Sequence, residues 1–489
     1  MALICGHDAP AYGLPLCEHI RTASAVPLDH YVHYTGRGVE RQRICGICRH
    51  EAATAVSAAV CEVCFDATEG SSLGVLGRPQ ALDASRPVPG MVQTTQLPAE
   101  AGPVLDIAPT EHGFLLLCDD GRILRWDTDA QTCAEAARST VTVPADAKPW
   151  GGHEQGLRLH ASRDGAFAAV VVDHGRTGEV IDLSTGAVTL SLENDGYYSH
   201  TVPFSLAFVE HAGRTVVLHR KVWSVIEAVD AATGAQVSRI PMTEAHTAWA
   251  GYFHGALHLS PAGTRIASDA WWWQPVGRPF AWSLERWLTQ GEDAWTEGTD
   301  RWELPSCDDH WNRPVAWLDE EHLVLGGLGD DEQELVPGAR VFLLGRESGE
   351  STLREIATFG GPDGRFFASD GLLFSSSQAG LEIWDPTSGS RLGRLAGFRP
   401  THHDLARREL VELSAIGLRR WSTAHVERCH PVSDASVESA SAMASDNSGA
   451  LQPDPPSTIF HTRVATWRLS RSSTFVRSLP LISRMRCSL

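Results

Sequence analysis

The chain has 489 residues, 41 of them basic and 60 acidic, so its formal net charge is −19. With 43% hydrophobic and 21% charged residues, it has the profile of a soluble globular protein of about two to four domains. An acidic body repels phosphates, which argues against nucleic-acid binding. No run of about 18 uncharged apolar residues exists, so we expect no membrane span.

The start of the chain lacks the basic and apolar regions of a signal peptide, so we expect a cytoplasmic protein. Lysine occurs only at Lys148 and Lys221, and arginine supplies nearly all the positive charge. This codon bias is typical of a GC-rich bacterial genome. It carries no information about function.

The first 66 residues hold a cluster of cysteines. Six of the eleven cysteines lie there: Cys5, Cys17, Cys45, Cys48, Cys61 and Cys64. Without a secretion signal, such a cluster favours metal binding over a disulfide framework. The last four form two Cys-x-x-Cys pairs separated by twelve residues, a spacing that suits a tetrahedral structural Zn²⁺ site. We therefore predict a zinc-binding module over residues 1–66.

Two Cys-x-His pairs upstream extend the set of candidate ligands. Cys5 and His7 form the first pair, and Cys17 and His19 form the second. The two pairs together predict a Cys2His2 site. A cross-braced arrangement is the alternative, with the first and third pairs on one zinc and the second and fourth on another. That ordering resembles RING-like modules, although those families mostly place two residues within each pair. An interpretation with one zinc, in which His7 and His19 are surface residues, also stays open.

Two local patterns follow the first cysteines. Residues 30–39 alternate aromatic and β-branched residues and end in glycines, which predicts a hairpin leading into Cys45. Residues 67–103 are rich in Gly, Ser, Pro and Ala, which predicts a linker.

From residue 104 the chain repeats a pattern of short apolar segments. Several segments end in an acidic residue followed by a Thr-Gly or Ser-Gly turn, as at Asp182, Asp230 and Asp385. In such a turn we expect the aspartate to cap the loop and the glycine to take a positive φ. A second turn, as in Ser260-Pro261-Ala262-Gly263, precedes a small apolar strand. The unit is therefore four antiparallel strands in about 40–50 residues, the blade of a β-propeller.

The repeat resembles the WD40-like propeller superfamily over residues 104–424. Trp126-Asp127 and Trp384-Asp385 match the Trp-Asp dipeptide of that superfamily. The other copies lack it, so quinoprotein-like and YVTN-like propellers fit equally well. Seven units begin near residues 104, 157, 204, 254, 314, 366 and 401, and six or eight remain open. The last unit is truncated, and residues 285–313 are an insertion or an irregular blade.

Histidines and tryptophans are the candidate functional residues of the propeller. Five histidines fall near the starts of units: His153, His200, His254, His310 and His402. The interpretation we favour is structural, and a metal or ligand site in the channel is the alternative. Residues 271–273 are three consecutive tryptophans, and side chains alternate along a strand, so at least one meets solvent, the channel or a partner. Burial beneath the 285–313 insertion is the other interpretation.

The final residues break the pattern. Residues 425–459 are rich in Ser, Ala and Pro, which predicts disorder. Residues 460–489 contain six arginines and no acidic residue. Such a tail either binds an anionic surface, docks on the propeller, or is a stretch translated out of its ancestral frame.

These patterns together predict a mainly β protein, a seven-bladed propeller preceded by a small zinc-binding domain. We expect one or two structural zinc ions and a role as a scaffold that recognises a protein partner. One alternative is an enzyme, a hydrolase or lyase, with convergent His, Asp or Glu residues in the channel. The other is RING-like docking of a carrier protein by the zinc module.

Overall fold

The structure is a computed structural model of the chain. It describes residues 85–145, 153–194, 196–238, 252–272, 276–290, 300–329, 335–347 and 350–426. Before these residues it describes the backbone of five short strands. Most of residues 1–66 and all of residues 427–489 lie outside the described part of the chain.

Four of the short strands form one sheet. They are β1 (Leu14–Cys17), β2 (His30–Thr35), β3 (Glu40–Cys45) and β4 (Ser57–Val60), in the order β2-β3-β1-β4. Strands β2 and β3 pair antiparallel from His30 opposite Cys45 to Thr35 opposite Glu40. This pairing is the hairpin that the 30–39 pattern predicts. Strand β1 runs parallel to β3 and antiparallel to β4.

Seven sheets arranged as blades follow, which confirms a mainly β, seven-bladed propeller. Two strands precede them, β5 (Leu82–Asp83) and β6 (Gln93–Thr95). Blade 1 comprises β7 (Val104–Thr110), β8 (Gly113–Cys118), β9 (Arg122–Asp127) and β10 (Thr132–Arg138). Blade 2 comprises β11 (Gly156–Ala161), β12 (Phe167–Asp173), β13 (Thr177–Asp182) and β14 (Ala187–Glu193). Blade 3 comprises β15 (Leu206–His211), β16 (Arg214–Val222) and β17 (Val225–Asp230).

The remaining blades repeat the same up-and-down order. Blade 4 comprises β18 (Tyr252–Phe253), β19 (His258–Leu259), β20 (Arg265–Trp272), β21 (Val276–Ser283), β22 (Arg301–Glu303) and β23 (Cys307–Asp308). Blade 5 comprises β24 (Val315–Trp317), β25 (His322–Leu328), β26 (Val336–Glu347) and β27 (Glu350–Gly360). Blade 6 comprises β28 (Arg365–Ser369), β29 (Leu372–Ser377), β30 (Gly380–Asp385) and β31 (Ser390–Leu395). Blade 7 comprises β32 (His402–Asp404), β33 (Glu409–Ser414) and β34 (Gly417–Ser422).

The strand missing from the seventh repeat comes from the start of the propeller. Strand β6 pairs antiparallel with β34, with Thr95 opposite Leu418, and so forms the outer strand of blade 7. Strand β5 adds a parallel fifth strand to blade 6. Residues 67–103, which the sequence predicts as a linker, therefore contribute one strand to blade 6 and one to blade 7. The pairing of β6 with β34 joins the two ends of the ring without a covalent bond.

A hydrophobic cluster fills each of the seven interfaces between neighbouring blades. Trp126 lies between blades 7 and 1, and Trp384 lies between blades 5 and 6. Trp384 is 1% exposed, and its indole Nε1 donates to Ser375 Oγ at 2.9 Å. Because each blade buries both faces against its neighbours, the seven clusters together form the apolar core of the ring.

The aspartate turns take the predicted form. Asp182 Oδ1 accepts from the Ser184 backbone N–H at 2.8 Å, and Gly186 has φ +71°. Asp230 Oδ1 accepts from the Thr233 backbone N–H at 2.9 Å, and Gly234 has φ +68°. A side chain at either glycine would be strained, because L-residues rarely adopt that φ.

Two faces of the ring follow from the strand order. Connections between blades and turns between the second and third strands of a blade emerge on one side, here called the upper face. The aspartate turns and the turns between first and second strands emerge on the lower face. Inside the 285–313 insertion, helix α1 (Leu284–Gln290) buries Trp287 against Trp282. No helix in the described ranges is long and apolar enough to cross a bilayer.

Candidate interaction surface on the upper face

An aromatic cluster lies on the upper face of blades 2 to 5. Here the cluster means Tyr197, Tyr198, Trp223, Phe253, Trp271 and Trp311. Tyr197 and Tyr198 lie between β14 and β15, and Trp223 lies in the turn between β16 and β17. Trp311 lies in the connection to blade 5. Residues of blades 3 and 4 and of the connections on either side of them therefore meet, because these positions share one side of the ring.

Phe253 is the centre of the cluster. Its ring centroid lies 4.3 Å from that of Trp271, 4.8 Å from that of Trp223 and 5.7 Å from that of Tyr197. Phe253 is fully buried and Trp271 is 6% exposed. These two rings form a rigid base, because offset and tilted aromatic contacts stabilise packing beyond area burial alone.

The two tyrosines cover that base and face solvent. Tyr197 is 46% exposed and Tyr198 is 38% exposed, and Trp223 is half-buried beside them. The ring planes meet at steep angles, 84° between the two tyrosines and 58° between Tyr197 and Trp223. Exposed, rigidly supported aromatic rings are characteristic of protein-binding hot spots.

Tyr198 is held in an unfavourable backbone conformation. Its φ is +47°, in the left-handed region, which costs a non-glycine residue of order 1–3 kcal/mol. The backbone N–H and hydroxyl of Thr201 both donate to the Tyr198 carbonyl, at 3.1 and 2.7 Å. The carbonyl of Thr201 accepts in turn from Trp311 Nε1 at 2.8 Å. These bonds connect the loop of Tyr198 to the connection between blades 4 and 5.

Aromatic rings of blade 4 accept guanidinium groups of the same chain. Arg278 lies 5.0 Å from the centroid of Trp272 and 5.4 Å from that of Tyr252. Arg301 lies 5.3 Å from the centroid of Tyr252. These are cation–π distances, so this part of the molecule already contains the contact chemistry that a basic ligand requires.

Charged residues line the channel near the upper face. His402 Nε2 lies 3.3 Å from Asp106 Oδ1, and Arg158 Nε lies 3.3 Å from Asp173 Oδ2. Burial acts to raise the pKa of Asp106, but the hydrogen bond and charge of His402 outweigh it, so the pKa is lowered. Desolvation and then the like charge of Arg158 lower the pKa of Arg365.

The five predicted histidines do not converge. His254 is buried, and desolvation lowers its pKa to about 3. His153 stacks on His174 at 4.5 Å, and His174 Nδ1 donates to the carbonyl of His200 at 3.2 Å. His402 pairs with Asp106, and His310 lies beside Gly277. Within the described ranges, no three His, Cys, Asp or Glu side chains form a group that can hold a metal.

The tryptophans of residues 271–273 differ in exposure. Trp271 is buried in the aromatic cluster, and Trp272 is 37% exposed under Arg278. Trp273 lies outside the described residues. The sequence patterns do not predict a role for Tyr197, Tyr198 or Trp223. Their only signal is the position of aromatic residues between predicted strands.

Two of the eight predicted zinc ligands lie in strands of the first sheet. Cys17 ends β1 and Cys45 ends β3, and the structure describes only their backbone. The other six lie outside the described residues: Cys5, His7, His19, Cys48, Cys61 and Cys64. Leu16 lies opposite Arg43, so Cys17 and Cys45 lie at the same end of neighbouring parallel strands.

Comparisons with known proteins give fold-level likenesses only. No family model and no curated protein matches the chain. Among solved structures, the β-propeller domain of Cps50 (Swd1) from Myceliophteria thermophila is 14% identical with a TM-score of 0.44, covering 68% of this chain and 99% of that one. Hydrazine synthase of Kuenenia stuttgartiensis is 10% identical with a TM-score of 0.43, covering 68% and 99%. A mitotic checkpoint complex chain is 13% identical with a TM-score of 0.41, covering 70% and 97%. The fold assignment rests on the sheet topology above.

Proposed function

We propose that this chain is a protein-recognition scaffold whose binding surface is the aromatic cluster on the upper face. The supporting observation is the pair Tyr197 and Tyr198, exposed above a rigid base of Phe253 and Trp271. A ring of seven interlocked blades holds those loops in place, so little conformational entropy is lost when a partner binds.

Affinity capture with matched variants tests the scaffold role. The wild-type chain, Tyr197→Ala/Trp223→Ala and Leu405→Ala are compared by quantitative mass spectrometry. Leu405 is 63% exposed in the turn between β32 and β33, on the lower face, so it is a matched apolar control. We expect a set of proteins that the wild type and Leu405→Ala retain and the double variant loses. Identical sets for all three chains would contradict the proposal.

We further propose that the N-terminal residues bind one or two structural zinc ions. The support is the spacing of the Cys-x-x-Cys and Cys-x-His pairs, together with a sheet too small for a hydrophobic core of its own. Cys45, Cys48, Cys61 and Cys64 are the principal ligands, and Cys5, His7, Cys17 and His19 would hold a second ion. A structural ion there would order a second contact surface beside the propeller's own.

Zinc per chain, measured by elemental mass spectrometry, tests this second proposal. Two zinc ions, at least one of them lost in Cys45→Ser, would support the paired arrangement. One zinc would restrict the site to the Cys-x-x-Cys pairs. A freshly purified, reduced protein without zinc would overturn it.

A further inference from the structure

We propose that the exposed part of the aromatic cluster binds a basic protein segment, through an arginine or lysine side chain placed against Tyr197, Tyr198 and Trp223. This inference rests on the recognition role proposed above and names the chemistry of the partner. It follows from ring geometry, from charge and from the arginine contacts of blade 4.

Ring geometry is the first argument. Tyr197 stands at 84° to Tyr198 and at 58° to Trp223. Tyr197 also stacks on Phe253, with 5.7 Å between centroids and 22° between ring planes, so the exposed part of Tyr197 includes its opposite π face. A cation is attracted to the face of an aromatic ring, so this exposed face can hold a cationic group beside Tyr198 and Trp223.

The charge of the propeller is the second argument. Residues 85–429 contain 47 acidic and 29 basic residues, so this part of the chain carries nearly all of the net negative charge. On the upper face, Asp308 and Asp309 are exposed two to three positions before Trp311 of the cluster. Nearby cations are engaged within the chain, since Lys221 lies 3.7 Å from Glu227 and Arg176 lies 3.4 Å from Glu193. A basic partner is therefore attracted to this face, and an acidic one is repelled.

Blade 4 provides the third argument. Arg278 lies over both Tyr252 and Trp272, and Trp272 is 37% exposed in that contact. Partly exposed rings next to the cluster thus already bind guanidinium groups intramolecularly. The proposed contact repeats the same chemistry with a guanidinium or ammonium group from another chain.

The strained tyrosine agrees with a binding role. A left-handed φ at Tyr198 is retained although glycine or asparagine would adopt it at lower cost. The conformation places the ring against Trp271, with 5.7 Å between centroids, and leaves 38% of the residue exposed. Seven other non-glycine residues of the described ranges, among them Gln131 and Ala212 in lower-face turns, also have a positive φ, so the placement of the ring is the argument and not the strain itself.

Titration calorimetry with defined peptides tests the inference on the full-length chain. The probe is an acetylated and amidated octapeptide of alternating Arg and Ala, and the matched peptides carry Gln or Glu in place of Arg. We expect the Arg peptide to bind, the Glu peptide not to bind, and the Gln peptide to bind at least tenfold more weakly than the Arg peptide. The absence of binding by the Arg peptide would overturn the inference.

Variants then locate the site. Tyr197→Ala/Trp223→Ala should weaken binding of the Arg peptide at least tenfold. Leu405→Ala and the conservative Tyr197→Phe should change it less than twofold. If the double variant binds as tightly as the wild type, the peptide is attracted by the acidic surface alone and the inference is wrong. If Tyr197→Phe binds as weakly as the double variant, the ring face is not the recognised feature and the inference is equally wrong.

The two experiments distinguish a failure of the scaffold proposal from a failure of the proposed basic partner. If affinity capture still shows proteins lost only in Tyr197→Ala/Trp223→Ala while no Arg peptide binds, the surface recognises another kind of partner. If neither experiment responds to the double variant, both proposals are overturned. Far-ultraviolet circular dichroism of each variant identifies any loss of fold, and the single variant Tyr197→Ala, which removes a ring that is 46% exposed, then replaces the double variant.

Discussion

The lower and upper faces of the propeller differ in what their loop side chains contact. Those of the lower face bond to their own turns, and those of the upper face are partly exposed to solvent. On the lower face, aspartates such as Asp182 and Asp230 accept hydrogen bonds from the backbone N–H groups of their own turns. On the upper face, Tyr197 and Tyr198 leave much of their surface exposed. A repeated turn stabilises the ring, whereas an irregular loop presents side chains to a partner. The repeated aspartate turns and the proposed recognition surface therefore lie at opposite edges of the same blades.

Burial separates structural from surface tryptophans most sharply. Trp384→Ala removes a side chain that is 1% exposed and packed between two blades, so we expect a loss of about 3–5 kcal/mol in the free energy of unfolding. Trp272→Ala, at a residue that is 37% exposed, should cost less than about 1 kcal/mol. Urea unfolding of both variants measures the difference. Equal losses would show that the upper face is part of the core.

Buried histidines make the blades sensitive to acid. Desolvation lowers the pKa of His160 to about 4, that of His254 to about 3 and that of His258 to about 4. Because each folded pKa lies below the unfolded value of 6.5, the stability is complete above pH 6.5 and is lost as the pH falls towards the folded values. Each histidine should cost about 2 kcal/mol between pH 6.5 and pH 5.

Unfolding free energies measured between pH 7.5 and pH 5 check this dependence. His254→Gln should reduce the slope by the equivalent of one proton. A stability that stays constant from pH 7.5 to pH 5 would mean that these imidazoles have the same pKa in the folded and unfolded chain, which would contradict the lowered values.

The aspartate turns of the lower face should contribute less per residue than a buried tryptophan. Asp230 accepts from the backbone N–H groups of Ala232 and Thr233, so Asp230→Ala should cost about 1–2 kcal/mol. Asp230→Asn keeps an acceptor and should recover most of that loss. Thermal unfolding of the two variants provides the measurement, and equal losses would argue against the turn as the source of stability.

Acid should weaken the exposed turns as well. Backbone N–H groups of Ala130 and Asp129 lower the pKa of Asp127, and hydrogen bonds from Ser184 lower that of Asp182. Since both folded pKa values lie below the unfolded one, their stabilisation is present above about pH 4 and is lost as the pH falls through the folded values. Carboxyl titrations followed by NMR at these two residues test the direction. A pKa at or above the ordinary value would contradict it.

The smallest expected effect on stability belongs to the upper face. Tyr197→Ala removes a ring that is 46% exposed, so the free energy of unfolding should change by about 0.5–1 kcal/mol. The same variant should lower partner binding strongly. A loss of stability as large as that of Trp384→Ala would make Tyr197 a structural residue and remove the contrast between the faces.

Periodic features of this chain were predictable from the sequence, and irregular ones were not. The repeated Asp and Gly positions predicted seven blades and their turns, because a capped turn needs those residue types at fixed spacing. The pairing of β6 with β34 was missed, because its three residues lie among Gly and Pro more than 300 positions from the partner strand. The aromatic cluster was missed for a similar reason. Its members come from two blade connections, one turn and two strands, and only the closed ring brings them together.

Hydrogen–deuterium exchange on the full-length chain, with and without the alternating Arg-Ala octapeptide, tests whether the aromatic cluster is the recognition surface. We expect slower exchange on peptide binding in residues 196–204 and around Trp223, with no change in the lower-face turns at Asp182 and Asp230. Protection confined to the lower face, or no protection anywhere at saturating peptide, would contradict the assignment of recognition to the aromatic cluster.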